Sequence, residues 1–472
     1  MTKGSSSADD EPRFPCPACQ SLMLVGAQKC PTCRRWIDAA SPRKSRGVWS
    51  LAVVLFVIAS GGILALARRR PSPVGEAPPL TRMSAAGHNE AAASGEPSPA
   101  DLGPPTAGSA VEKPAVPANE RPWWTHSIRV DVHPLDAVFS DDGKTVYASG
   151  DDAKIRAYDV ATGKLTHLLS VPAQGDRLKL LHGRYLAVIQ RHEAPHIPLV
   201  DVQTWNREPV LLHVGSEAAD VIPLPDGKTL LSASSKGRKV GWYDAASGRN
   251  LGELRVPHEP DRLFLMHGNN RLFVGALGTT RQGDVPTSAS LELFDPTEKP
   301  FGATRRSVSL GRDPRGGAVA PDGKTLLVAD RLSNSAWLFQ VEGNVRPVSI
   351  PVGQAPIGAF ILDGRHGITL DSQARTATVI DLETQKRGNS LLLPGTPGAG
   401  ATSPDGTWLA VSLGGATWPP TGAGVVMIAG SPPHIVARRE TGEGAGKVAI
   451  SRDGLRAVVA CYAARELVLI ER

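Results

Sequence analysis

An Asp-Gly-type turn set between two apolar runs recurs eight times along the C-terminal three-quarters of the chain, and this repeat constrains the fold more than any other feature. Clear copies read FSDDGKTVYASG (139–150), LPDGKTLLSAS (224–234), APDGKTLLVAD (320–330), SPDGTWLAVS (403–412) and SRDGLRAVVA (451–460). Weaker copies fill the gaps at 180–189, 265–276 and 361–370. The turn glycines are Gly143, Gly183, Gly227, Gly268, Gly323, Gly364, Gly406 and Gly454, spaced by 40 to 55 residues. Asp-Gly or His-Gly supplies the positive-φ positions of a tight turn, so each copy predicts a β-hairpin. His182 and His267 take the Asp place in two copies, so turn chemistry accounts for them.

A third strand ending in Asp and a second turn follows several hairpins: IRAYDVATGK (155–164), GWYDAASGR (241–249), LELFDPTEK (291–299) and ATVIDLETQK (377–386). A fourth strand leads to the next copy, as in LTHLLSV (165–171). Four antiparallel strands in about 43 residues make one propeller blade. One blade leaves its faces bare, so blades must pack in a ring. The last copy holds only three strands, and an extra strand-like run, HSIRVDV (126–132), precedes the first. That run is expected to complete the final blade. Eight blades are expected; seven would require one weak copy to be an insertion. GTTRQGDVPTSAS (278–290) and GGATWPPTGAG (414–424) are expected as loops inserted on one rim.

These segments are similar to the WD-repeat and YVTN-type propeller superfamily over most of residues 123–472. The resemblance implies an all-β propeller, and such propellers serve many functions. YD, FD, VD and ID stand where a strict WD repeat has Trp-Asp. The YVTN-type likeness keeps a propeller enzyme in view, lactonase-like or quinoprotein-like, with its site at the central channel. A non-catalytic binding module is the preferred reading, because no catalytic set assembles from the sequence.

Upstream, the chain divides into segments of different chemistry. Residues 1–13 are polar and expected to be disordered. Cys16, Cys19, Cys30 and Cys33 form C-x2-C-x10-C-x2-C within residues 14–37. Two such knuckles complete a tetrahedral thiolate shell for structural Zn2+ and leave no open coordination position. The pattern resembles the short zinc-ribbon family. Residues 47–67 contain no charge, and at 1.5 Å per residue they span about 31 Å, the thickness of a bilayer's hydrocarbon core. They predict a single transmembrane helix rather than a cleaved signal peptide. Arg34, Arg35, Arg43, Lys44 and Arg46 precede it and Arg68, Arg69 and Arg70 follow, a modest bias that places the N-terminus in the cytoplasm and the propeller outside. Residues 71–122, with eleven prolines, read as a disordered spacer between membrane and propeller.

Charge excludes one class of partner. Residues 1–70 hold eleven Lys/Arg against four Asp/Glu, a balance of +7 within a whole-chain +6, so the remaining residues sum to −1. A near-neutral propeller does not fit nucleic-acid binding, and a protein partner at the rim is expected instead.

Three motifs invite chemistry and are set aside. His192-Glu-Ala-Pro-His196 matches a zinc-protease pattern, but that chemistry needs a helix and Pro195 opposes one. Gly442, Gly444, Gly446 and Lys447 lack phosphate-loop spacing. Cys461 sits in an apolar run and reads as a buried, inert thiol.

Overall fold

The computed structural model describes residues 123–472, apart from 173, 191–193, 206–207, 270, 284 and 343–345, together with the backbone of two short N-terminal strands. Those two strands, Arg13–Pro15 and Leu22–Leu24, pair antiparallel. The four cysteines of the ribbon, the predicted membrane segment 47–67 and the spacer 71–122 lie outside the described residues. Among the described residues no helix is long and apolar enough to cross a membrane.

Residues 124–471 form eight four-stranded antiparallel sheets. Blade 1 opens with Pro134–Phe139, blade 2 with Arg177–Leu181, blade 3 with Ala218–Pro223 and blade 4 with Glu259–Gly268. Blades 5 to 8 open with Pro314–Val319, Pro356–Leu362, Ala399–Thr402 and Ala445–Ile450. Each of these opening strands touches the opening strand of the next blade, and that of blade 8 touches that of blade 1, so they line a central axis. Blade 8 takes its outermost strand from the start of the domain: Trp124–Arg129 pairs with Glu466–Glu471, Trp124 opposite Glu471 and Arg129 opposite Glu466. The orphan strand expected from sequence therefore closes the ring.

The turn chemistry explains why the hairpins form where they do. Asp226 accepts from the Lys228 and Thr229 amides at 2.9 and 2.8 Å, and from the Thr229 hydroxyl. Asp322 does the same for Lys324 and Thr325. The Asp ending the third strand of blades 1, 3 and 6 acts likewise one turn later: Asp159 accepts from Thr162, Asp244 from Ser247 and Asp381 from Thr384. This capping needs only the carboxylate, so Tyr, Val or Ile before the Asp costs the turn nothing.

The core is distributed rather than central. Eight apolar clusters each fill one boundary between neighbouring blades. The middle strands are therefore buried on both faces, as in Thr325–Asp330, while outermost strands such as Lys386–Leu392 are largely exposed. Ile128 and Val130 pack with Phe139, Val458 and Leu467, so the seam has the same apolar filling as every other boundary.

Both insertions emerge from the connection between second and third strands, on one face of the ring. This upper face is the end where the opening strands begin. The 278–290 insert is not a loop but an extension of paired strands, Arg271–Gln282 with Val285–Phe294, because its Thr and Val residues continue the ladder. The 414–424 insert is a loop, as expected.

Candidate functional site: the axial mouth and upper rim

The opening strands carry charged residues into the channel wall. Asp136 lies in blade 1, where a bulge between Pro134 and Asp136 shifts the register. Its carboxylate accepts from the amides of Ala137 at 2.8 Å and of Leu178, in blade 2, at 2.9 Å. Burial pushes this carboxyl above its ordinary value, with Lys447 and Arg177 drawing it partly back. Asp220 repeats the arrangement two blades on, accepting from the amides of Val221 at 3.0 Å and of Leu263, in blade 4, at 3.0 Å. It also meets Lys179 Nζ at 2.5 Å and Arg177 Nη1 at 3.7 Å. Burial pushes the Asp220 carboxyl up, but Lys179, Arg177 and Arg262 together hold it below its ordinary value. Lys179 and Arg177 in turn donate to the Val221 and Ala219 carbonyls of blade 3. Charges do converge on the channel, and the contacts to Leu178, Leu263, Lys179 and Arg177 staple one blade to another.

Sequence reasoning passed over both aspartates, although a signal was there. Asp136 and Asp220 each stand seven residues before a turn glycine, and Asp176, Asp261 and Lys447 occupy the same offset in three other copies.

Above this wall, between blades 3, 4 and 5, opens a cavity of about 470 Å3 lined by Glu217, Lys236, Glu259, Asp261, Arg281 and Arg315 among others. Charges of both signs interleave along its wall. Glu217, Glu259 and Asp261 stand toward blades 3 and 4, with Glu259 3.7 Å from Lys236 and 3.8 Å from Arg281. Arg315 stands on blade 5 and shares the buried Asp313 with Arg331, at 3.2 and 2.7 Å. Burial, with Arg331 and Arg281 nearby, lowers the proton affinity of the Arg315 guanidinium.

Across the same face, the 414–424 loop presents Trp418, 65% exposed. Its ring meets Tyr462 edge-on at 5.1 Å, and Tyr462 stacks on His133 at 4.7 Å and 24°. Arg465 reaches His133 Nε2 at 3.1 Å. Blades 7, 8 and 1 thus share one aromatic ledge, capped by a side chain that has given most of its surface to solvent.

The motifs set aside from sequence fall as follows. Cys461 is fully buried, its Sγ 3.8 Å from the Val459 carbonyl, and burial pushes its thiol up to about 12. Gly442 and Gly444 join blades 7 and 8, and Gly446 and Lys447 lie in the strand Ala445–Ile450, so no helix follows them. His182 sits in its turn at φ 50°. His196 begins the strand His196–Asp201, which removes the helix that the protease pattern needs, while His192 and Glu193 lie outside the described residues.

No family model matches the sequence, and no curated protein matches it. Solved structures do. The chain is similar to the C-terminal WD40 domain of Sif2, at 15% identity and a TM-score of 0.56, covering 74% of this chain and 98% of that one. It is similar to the dihydro-heme d1 dehydrogenase NirN, at 16% identity and a TM-score of 0.53, covering 71% of this chain and 72% of that one. Kuenenia stuttgartiensis hydrazine synthase aligns at 19% identity and a TM-score of 0.49, over 73% of this chain and 97% of that one. At these identities the likeness is one of fold: an eight-bladed, WD40-like propeller.

Proposed function

We propose that this chain is a membrane-tethered recognition module whose upper propeller face binds a protein or ligand without chemical conversion. The observation that carries the reading is that both long insertions and the charged axial cavity share one face. An exposed Trp across the same face from a charged cavity offers an aromatic anchor and charged specificity groups on one surface, the combination that dominates binding energy at interfaces. The charged groups deeper in the channel are engaged in holding blades together, which leaves them poorly placed for proton transfer.

In this reading residues 47–67 anchor the chain, residues 71–122 hold the propeller off the bilayer, and the propeller faces the extracytoplasmic side. Cys16, Cys19, Cys30 and Cys33 hold a structural Zn2+ on the cytoplasmic side. Four thiolates at knuckle spacing suit that ion, and a module of some 25 residues needs the metal in place of a core.

Site-specific photocrosslinking in intact cells tests the recognition surface. A crosslinker at Trp418 should yield a discrete adduct that one at Lys144, on the opposite face, does not. Equal labelling from both faces, or none from either, rejects the reading.

The guanidinium cluster at Arg281, Arg315 and Arg331 favours one competing reading, a propeller enzyme acting on an anionic substrate in the axial cavity. Turnover lost in Arg315→Ala with substrate affinity retained would select it.

A further inference from the structure

The protease-like motif leads to a different site. His196, its second histidine, is the first residue of the third strand of blade 2, and in the strand register it stands directly opposite His213, the last residue of the fourth. Their imidazoles lie 4.6 Å apart between centroids, at 80°. His196 is half-buried and His213 exposed. The Nδ1 atom of His196 is buried with no hydrogen-bond partner.

The geometry points to a divalent transition-metal site held by the cross-strand pair His196 and His213, distinct from the thiolate ribbon. Imidazole nitrogens bind Zn2+ at about 2.0–2.1 Å, so two rings sharing one tetrahedral ion place their centroids about 5.2 Å apart. The observed separation is about half an ångström short of that, a gap that a small swing of the exposed His213 ring would open. An imidazole nitrogen left without a partner costs free energy, and an ion would relieve it. Edge-to-face contact between the rings explains the packing but leaves the Nδ1 atom of His196 unsatisfied.

Both backbones are fixed before any ion arrives. The Val214 amide donates to the Pro195 carbonyl at 2.9 Å, and Tyr243 donates its hydroxyl to the His213 carbonyl at 3.1 Å. Pro195 holds the approach to His196, so the residue that denies the motif its helix also sets the histidine at a strand end. Among the described residues no group of three or more His, Cys, Asp or Glu could hold a metal, so this pair supplies two ligands and water completes the shell. His192 and Glu193 are given no part in it. Imidazole donors select borderline ions such as Zn2+, Ni2+ or Cu2+ over Mg2+ or Ca2+. A two-ligand site with open positions suits a reversible ion that stiffens the outer edge of blade 2 or bridges to a partner's own donor.

Equilibrium dialysis of the full chain against buffered free Zn2+ tests the assignment, with bound metal measured against protein. The native chain should hold one equivalent more than His213→Ala or His196→Ala, the ribbon thiolates contributing equally to all three. His213 is exposed on an outermost strand, so its variant should fold, and a melting curve checks this directly. Saturating Zn2+ should raise the melting temperature of the native propeller and leave that of His213→Ala unchanged. Mg2+ should do neither. Equal zinc content and equal melting response in native and His213→Ala proteins would overturn the site.

Discussion

The Leu178 amide, at the axial edge of blade 2, donates to the Asp136 carboxylate of blade 1 at 2.9 Å. Asp220 receives the Leu263 amide in the same way from blade 4. An opening strand next to the channel has no further strand beyond it, so its amides need an acceptor from elsewhere. A carboxylate reaching over from the previous blade provides one.

The two aspartates predict opposite pH behaviour. The folded-state pKa of Asp220 is lowered below 3.8, so its contribution to stability is present above that value and is lost as pH falls through the folded pKa. The Asp136 value is raised above 3.8, so the folded state binds its proton more tightly and stability from this group declines as pH rises from 3.8 through the folded pKa. Asp220→Asn should therefore flatten the acid side of a melting-temperature profile. Asp136→Asn should steepen the rise above pH 3.8. Parallel profiles for both variants and the native protein would show that neither group is coupled to folding.

Removing the acceptor altogether should cost more than neutralising it. Asp136→Ala leaves the Ala137 and Leu178 amides unpaired in a buried setting, a penalty of about 2–3 kcal/mol. Asp136→Asn keeps an acceptor oxygen and should lose less. Urea denaturation of the three proteins, compared at constant m-value, reads the difference directly.

The ring seam should behave as one cooperative joint. Ile128 is 4% exposed and packs against residues of blades 8 and 1. Ile128→Ala opens a cavity there, at a cost of about 2–4 kcal/mol. Cysteines at Ser127 and Val468, which face each other in the strand register, should lock the seam and raise the melting temperature when oxidised. If oxidation leaves the melting temperature unchanged, opening of this seam does not limit unfolding.

How far the sequence disclosed this structure depends on how local the signal was. The turns were legible because Asp-Gly-Lys-Thr carries its own capping chemistry within four residues, as at Asp226 and Asp322. Closure was legible because HSIRVDV had no local partner. The Thr- and Ser-bearing stretch at 278–290 reads as a loop from sequence because Gly278 and Gly283 obscure its alternation. The staples at Asp136 and Asp220 pair with residues 42 and 43 positions away, so only comparing repeats copy by copy would have exposed them. The His196–His213 pairing arises from strand register, which no motif search encodes. Trp418 looked like one more loop residue until the ring placed it beside Tyr462 and His133.

The five thiols should separate into two classes under metal removal. Cys461 is buried, and with its thiol pushed up to about 12 only about one part in ten thousand is thiolate near pH 8. Thiolate is the species that alkylating reagents attack, so Cys461 should react only when the propeller unfolds. In the proposed ribbon, coordination would shield Cys16, Cys19, Cys30 and Cys33, which should become reactive once a chelator strips the ion. Mass spectrometry after iodoacetamide treatment should then find no modified thiol in the zinc-loaded protein, four after chelation and five after chelation in denaturant. Four thiols reactive before chelation would remove the ribbon from the reading and leave the propeller untouched, because Cys461 draws its protection from the blade boundary alone.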